Sequence, residues 1–160
     1  MPEQSPARPY RIGDRDACLR IFDSNVPEYF DLSEREEFAT FLDALPGPYH
    51  VLEAPGEGVV ACGGHALRPG EPIADLCWGM VRSDLHGRGL GRALTEARMA
   101  AAGRSASVRT IALNTSQRTT GFYERFGFEI IEVVRDGYRP GLDRCEMRMA
   151  LSGTRPAGGR

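Results

Sequence analysis

The sequence predicts a mixed α/β domain, and three observations carry that prediction. Apolar runs of strand length and apolar stripes of helical spacing follow one another along the chain. At Val81–Leu94 one passes straight into the other, through glycines at 87, 89 and 91. The length, 160 residues with 41% hydrophobic and 26% charged, fits a single globular domain with ample material for a core. The expected domain is 1–160, with flexible tails at 1–8 and 152–160, where residues are small and polar.

The elements read in order as follows. Tyr10 to Ile12 is a short first strand. Asp14 or Asp16 starts a helix carrying Ala17, Leu19, Ile21 and Phe22 and ending near Asn25. Ser33 with Glu36 forms a capping box for a helix running to Leu45, stopped by Pro46-Gly47-Pro48. Strands follow at Tyr49–Glu53 and Val59–Leu67 around a Pro/Gly turn at 55–58, then a strand at Ile73–Val81. After Gly89 the apolar positions Leu90, Ala93, Leu94, Ala97 and Ala101 fall on one helical face to about Ala102. A strand at Val108–Asn114 leads to a short helix from about Gln117 to Phe126. Ser116 is its cap, and Gly127 supplies the left-handed residue after it. Strands near Phe128–Arg135 and Arg144–Leu151 close the chain, joined by the loop Asp136–Gly141.

Three glycines at alternate positions, where a strand becomes a helix, let backbone N–H groups approach a ligand closely. The positive end of the helix dipole adds attraction, so the turn suits an anion, most often a phosphate or pyrophosphate. The dinucleotide pattern G-x-G-x-x-G fails, because the sixth residue is Arg92 counted from Gly87 and Leu94 counted from Gly89. The phosphate loop G-x-x-x-x-G-K-[S/T] fails because the chain contains no lysine. A second notable stretch is Phe122-Tyr123-Glu124-Arg125-Phe126-Gly127-Phe128.

These two segments resemble those of the GNAT superfamily of acyl-CoA-dependent N-acetyltransferases. His86–Gly91 is similar to its Q/R-x-x-G-x-G/A turn, and Phe122–Phe128 to its FYExxGF segment, at the right spacing. The sequence departs from the family at His86, where Gln or Arg is usual, and at Ser83, where Pro is common. It departs again at Ser116, seven residues before Tyr123, where Asn is frequent. The resemblance covers nearly the whole chain. It implies a mixed, mostly antiparallel twisted sheet of about six to seven strands flanked by about four helices.

It also implies acetyl transfer from acetyl-CoA, as cosubstrate, to a primary amine by direct attack in a ternary complex. On that resemblance the pyrophosphate is gripped by His86, Gly87, Arg88, Gly89, Leu90, Gly91 and Arg92. The backbone at Met80 or Val81 meets the thioester oxygen, Gly79 permits the local distortion, and Ser116 stands at a further cofactor contact. Tyr123 stands beside the sulfur as general acid, a role suited to a phenol that stays protonated at neutral pH; the other reading is simple packing. Asp75 stands where histone acetyltransferases of the superfamily carry a Glu base. Period-2 alternation puts Asp75 on the strand face of Cys77, Gly79 and Val81. A structural ion pair to an arginine is the other reading, with water serving as base. The side chains of Arg88 and Arg92 either add to the phosphate grip or sit in solvent. Asn25, Tyr29 and Tyr138 are the candidate acceptor contacts. Phe30, Trp78 and His65 read as packing.

The acceptor is left open among peptides, amino acids, polyamines and antibiotic amines. The alternative class is a non-catalytic acyl-CoA-binding regulatory module. A net charge of −2 argues against nucleic acid as a partner. All 20 basic residues are arginine, so the protein has no lysine of its own to acetylate. Cysteines at 18, 62, 77 and 145 and histidines at 50, 65 and 86 show no metal spacing, so no metal is expected. Free thiols and the lack of a signal peptide or a membrane-length apolar run point to the cytoplasm. A homodimer is compatible with the resemblance.

Overall fold

The computed structural model describes residues 6–151. The chain forms two compact units, one comprising Met1–His65 with Cys77–Arg98, the other Ala66–Leu76 with Met99–Arg160. The elements in order are β1 (Arg8–Pro9), α1 (Arg15–Ser24), α2 (Arg35–Ala44), β2 (Tyr49–Ala54), β3 (Gly58–Leu67) and β4 (Ile73–Val81). They continue with α3 (Leu90–Gly103), β5 (Thr110–Thr115), α4 (Thr120–Glu124), β6 (Glu129–Arg139) and β7 (Leu142–Ala150). The strands form one seven-stranded sheet in the order β1-β2-β3-β4-β5-β7-β6. Pairing is antiparallel for β1–β2, β2–β3, β5–β7 and β6–β7, and parallel for β4–β5. This is the mixed α/β architecture the sequence predicts.

In the first unit α1 and α2 cover one sheet face. Cys18, Ile21 and Phe22 of α1 and Phe38 and Leu42 of α2 pack with Tyr49, Val51, Cys62 and Met80 of the strands. Phe22 and Phe38 are fully buried and stack with centroids 5.8 Å apart, and Trp78 tilts against Phe38 at 5.0 Å. Each such ring contributes about 1.5–3 kcal/mol by leaving water. A second cluster joins Leu52, Val60 and Ala61 to Leu85, Leu90 and Leu94, which anchors the start of α3. In the second unit Ala74, Leu76, Ile111, Leu113, Phe128 and Met147 pack with Ala102 and Met99 of α3 and with Tyr123 of α4.

Several boundaries differ from the sequence reading. The first strand is Arg8–Pro9, and Ile12–Asp14 is a 3₁₀ turn. Arg8 is tied down by Asp14 and Glu53 at 2.6–3.0 Å, so it belongs to the fold and not to a tail. Predicted tail residues 1–5 and 152–160 lie outside the described residues. The cap before α2 is Asp31, not Ser33. Asp31 accepts from Ser33 N, while Glu34 accepts from Asp31 N. Both Asp31-x-x-Glu34 and Ser33-x-x-Glu36 satisfy the capping pattern, and extended backbone at Asp31 selects the first. α4 is shorter than expected, because Ser116 caps the turn before it, accepting from Arg118 N at 3.2 Å. Gly127 has the predicted left-handed φ, +106°.

The expected loop Asp136–Gly141 is mostly strand. Asp136 N donates to Asp143 Oδ1 and Gly141 N donates to Asp136 Oδ1, which carries the β6–β7 hairpin to Arg139. The buried row of α3 is Leu90, Leu94, Arg98 and Ala102, with Ala93, Ala97 and Ala101 half-buried beside it.

Candidate active site

β4 leaves the sheet through a short 3₁₀ turn at Ser83–Leu85. Arg82 fixes this exit: its backbone N–H donates to Val60 O at 2.8 Å, and its guanidinium pairs with Asp84 and Glu57 at 2.6 and 2.7 Å. The hydrogen bond from Arg82 holds the Asp84 carboxyl below the usual carboxylate range. The chain then takes left-handed φ at Gly87, +81°, and at Gly89, +85°. Side chains rarely adopt that conformation, and open space surrounds the position of a Cβ on Gly87. Alternating left-handed residues turn successive N–H groups toward one point, the geometry of an anion nest. The first intrahelical bond, Ala93 N to Gly89 O at 3.0 Å, starts α3 there. The N–H groups of its first turn have no intrahelical partner and carry the positive end of the dipole.

The side chains around the turn divide clearly. His86 Nε2–H donates to Val81 O at 2.9 Å, and its ring meets Tyr29 edge-on with centroids 5.1 Å apart. Arg88 is exposed. Arg92 pairs with Glu96 one turn on, at 3.2 Å, which favours its solvent reading. Asn25 is only 3% exposed, and its amide donates to Ile21 O and Val81 O, both at 2.9 Å. Two donors therefore converge on the last carbonyl of β4. The structure gives Asn25 a bracing task at the end of α1, and Tyr29 a contact with the turn.

β4 is distorted just before this exit. Trp78, not Gly79, carries the left-handed φ, +46°. Pairing with β5 runs over Ile73, Ala74 and Asp75. Ala74 and Leu76 pack within the core of the second unit, and Val81 within the cluster of Leu85, Leu90 and Leu94 in the first. Trp78 itself lies among Phe22, Phe30, Phe38 and Phe41, as core packing.

In the second unit Asp75 receives a two-bond fork from Arg68, Nε to Oδ2 at 2.7 Å and Nη2 to Oδ1 at 2.8 Å. Arg68 also lies 3.8 Å from Glu146, which pairs with Arg148. A charged groove of about 360 Å³ opens here, lined by Arg68, Asn114, Glu132, Arg144, Glu146 and Arg148. Tyr123 is half-buried on α4, its ring edge-on to Phe128 at 5.9 Å and against the second unit's core. Ser116 is buried with its hydroxyl engaged at Arg118 N. Tyr138 is half-buried on β6 and not on a loop.

Two further residues escaped the sequence reading. Tyr49 O–H donates to Trp78 O at 2.8 Å, at the distortion itself. Among the described residues Arg98 is the largest fully buried side chain, 2% exposed. Its position four residues after Leu94 on the apolar row was the available signal; an arginine there reads as solvent-facing by default.

A family model described as an acetyltransferase (GNAT) domain matches residues 46–130, which include β2 through β5, the glycine turn and the Tyr123 helix. No curated protein sequence matches the chain significantly. Among solved structures, the ribosomal-protein-S18-alanine N-acetyltransferase from Escherichia coli superposes with a TM-score of 0.76 at 20% identity, covering 94% of this chain and 95% of that one. A GCN5-related N-acetyltransferase from Kribbella flavida gives 0.73 at 21% identity, covering 91% and 96%. An aminoglycoside 6′-N-acetyltransferase complexed with coenzyme A gives 0.75 at 15% identity, covering 95% and 99%. At these identities the likeness is one of fold.

Proposed function

Because the chain belongs to the GNAT acetyltransferase domain family, we propose that it moves the acetyl group of acetyl-CoA to a primary amine of a small molecule or peptide, by direct attack in a ternary complex. The observation that carries this reading is the pair of left-handed glycines, Gly87 and Gly89, opening α3 directly after a distorted β4. Backbone donors at Gly87–Gly91 bind the pyrophosphate, and the missing Cβ of Gly87 leaves room for it. Acetyl-CoA supplies the activated thioester.

The N–H groups of Met80 and Val81 polarise the thioester carbonyl and receive the oxyanion of the tetrahedral intermediate. The amine nitrogen bonds to the carbonyl carbon to form that intermediate, and its collapse re-forms the carbonyl and breaks the carbon–sulfur bond. Tyr123 gives its phenolic proton to the departing sulfur. The Arg68 fork favours the ion-pair reading of Asp75, so in this account water takes the proton from the amine. The acceptor is proposed to enter beside Tyr29, next to the glycine turn. No described helix is long and apolar enough to cross a membrane, and the proposed compartment is the cytoplasm, where thiols outside any disulfide, like these four, persist.

The test is free-thiol release from acetyl-CoA, with product mass, against amines of four kinds: free amino acids, an alanine-terminated peptide, spermidine and an aminoglycoside. Saturable release with an acetylated product supports the reading. Tight CoA binding with no release above hydrolysis across the panel supports a binding module instead.

A further inference from the structure

We infer that Arg98 is a positioning residue for acetyl transfer: its buried guanidinium fills the notch between Gly63 and Gly79 and holds β4 from Trp78 to Val81 in its distorted form. The inference rests on the acetyltransferase reading above.

The notch is made by the absence of two side chains. A Cβ on Gly79 would lie 2.4–2.6 Å from the Nη2, Cζ and Nη1 atoms of Arg98. A Cβ on Gly63 would lie 3.0 Å from Arg98 Cδ and 3.0 Å from Gly79 Cα. The two glycines thus face each other across β3 and β4, and the Arg98 stem and head occupy the place of both missing groups. Tyr49 acts on the adjacent peptide, its O–H bonded to Trp78 O at 2.8 Å. Burial pushes the Tyr49 phenol well above its usual range, and the charge of Arg98 opposes that shift. Arg98 against Gly79 and Tyr49 on Trp78 therefore bracket the distortion from which Met80 and Val81 follow.

Packing alone gives no reason for arginine. Removing a guanidinium from water costs several kcal/mol, and an apolar side chain of similar length fills such space at least as stably. What the apolar residue lacks is a fixed positive charge against Gly79, the residue before Met80. In low-dielectric surroundings that charge strengthens the pull on a developing oxyanion, and its rigid fork keeps the donors aimed.

Arg98→Met keeps the stem and removes the charge; Arg98→Lys keeps the charge and loses the fork. The readouts are kcat and KM with acetyl-CoA and the panel amine that turns over fastest, CoA affinity by calorimetry, melting temperature, and backbone amide spectra. Arg98→Met is expected to stay folded and to lose kcat roughly tenfold to a hundredfold, the scale of a small misplacement of reacting groups. CoA affinity should change by less than about threefold, since the turn that grips pyrophosphate is untouched. Amide signals of 78–81 should move while those of 87–91 stay, and Arg98→Lys should recover part of kcat. If Arg98→Met does not fold, Gly63→Ala replaces it, its methyl pressing on both the Arg98 stem and Gly79 Cα and so on the notch itself. A folded Arg98→Met or Gly63→Ala with wild-type kcat overturns the inference. So do Met and Lys variants that lose activity equally and in step with melting temperature. A wild-type protein that binds acetyl-CoA and acetylates nothing overturns the acetyltransferase reading itself, and this inference with it; a transferring wild type isolates the failure to Arg98.

Discussion

Replacing Asn25 by alanine removes the brace between α1 and the end of β4, and the structure sets the size of the effect. The amide donates to Ile21 O and Val81 O, each at 2.9 Å, from a side chain almost fully shielded from water. Two buried hydrogen bonds are worth about 1 kcal/mol each in net stability. The cost does not rise further, because neither carbonyl is orphaned. Ile21 O keeps the hydroxyl of Ser24 at 2.7 Å, and Val81 O keeps Nε2 of His86 at 2.9 Å. The expected loss is about 2 kcal/mol, or roughly 4–8 °C in Tm for a domain of this size. His86→Phe keeps a ring against Tyr29 and removes the second donor; alone it should cost about 1 kcal/mol or less. Together the two substitutions strip Val81 O of both donors, so their effects should exceed the sum by about 1 kcal/mol. Urea unfolding of the wild type, both single variants and the double variant closes the cycle. Strict additivity, within about 0.4 kcal/mol, would refute the shared anchor at Val81.

Three further outcomes are expected. Tyr123→Phe should lower turnover about a hundredfold with CoA affinity unchanged; near-normal turnover in a chemistry-limited assay leaves Tyr123 as packing. Asp75→Asn should lower stability by about 1 kcal/mol, the scale of a half-exposed ion pair, and leave the pH–rate profile in place. A variant whose rate recovers only as pH rises would instead mark Asp75 as the base. The Asp14 carboxyl is held below its ordinary value, chiefly by the hydrogen bond from Arg8 and against the opposing effect of burial. A depressed carboxyl stabilises the fold above its unfolded pKa of about 3.9 and loses that contribution as pH falls through the folded value. Asp14→Asn should therefore melt below the wild type at pH 7, with the gap closing below about pH 4; a gap that persists unchanged to pH 2 contradicts the Arg8–Asp14 linkage.

Much of the backbone around the glycine turn and β4 was legible in the sequence because glycine and motif spacing announce local geometry directly. Gly87, Gly89 and Gly127 adopt the left-handed φ that their places in the pattern require. β4 keeps its predicted bounds because Ile73–Val81 is an apolar run interrupted only by Asp75. The unread features are those that tertiary contacts impose. No local signal marks Trp78 for φ +46°; its ring is held by the aromatic cluster of α1 and α2 and its carbonyl by Tyr49. Arg98 is invisible for a related reason, since only the pairing of β3 with β4 brings Gly63 and Gly79 opposite each other to receive it. Tyr138 was misplaced because Gly137, Pro140 and Gly141 suggest a loop, whereas Asp136 and Asp143 extend the hairpin through side-chain bonds.

The account turns on one site, the glycine turn as the seat of the acetyl-CoA pyrophosphate. Its most direct measurement is calorimetric titration of CoA into the wild type and Gly87→Val. The substitution puts a branched side chain into the open space beside Gly87, at a φ of +81° that strains the turn as well. The account predicts a folded variant whose CoA affinity falls at least about tenfold, by blocked approach of the phosphate to the backbone donors. A folded Gly87→Val that binds CoA as the wild type does would contradict it.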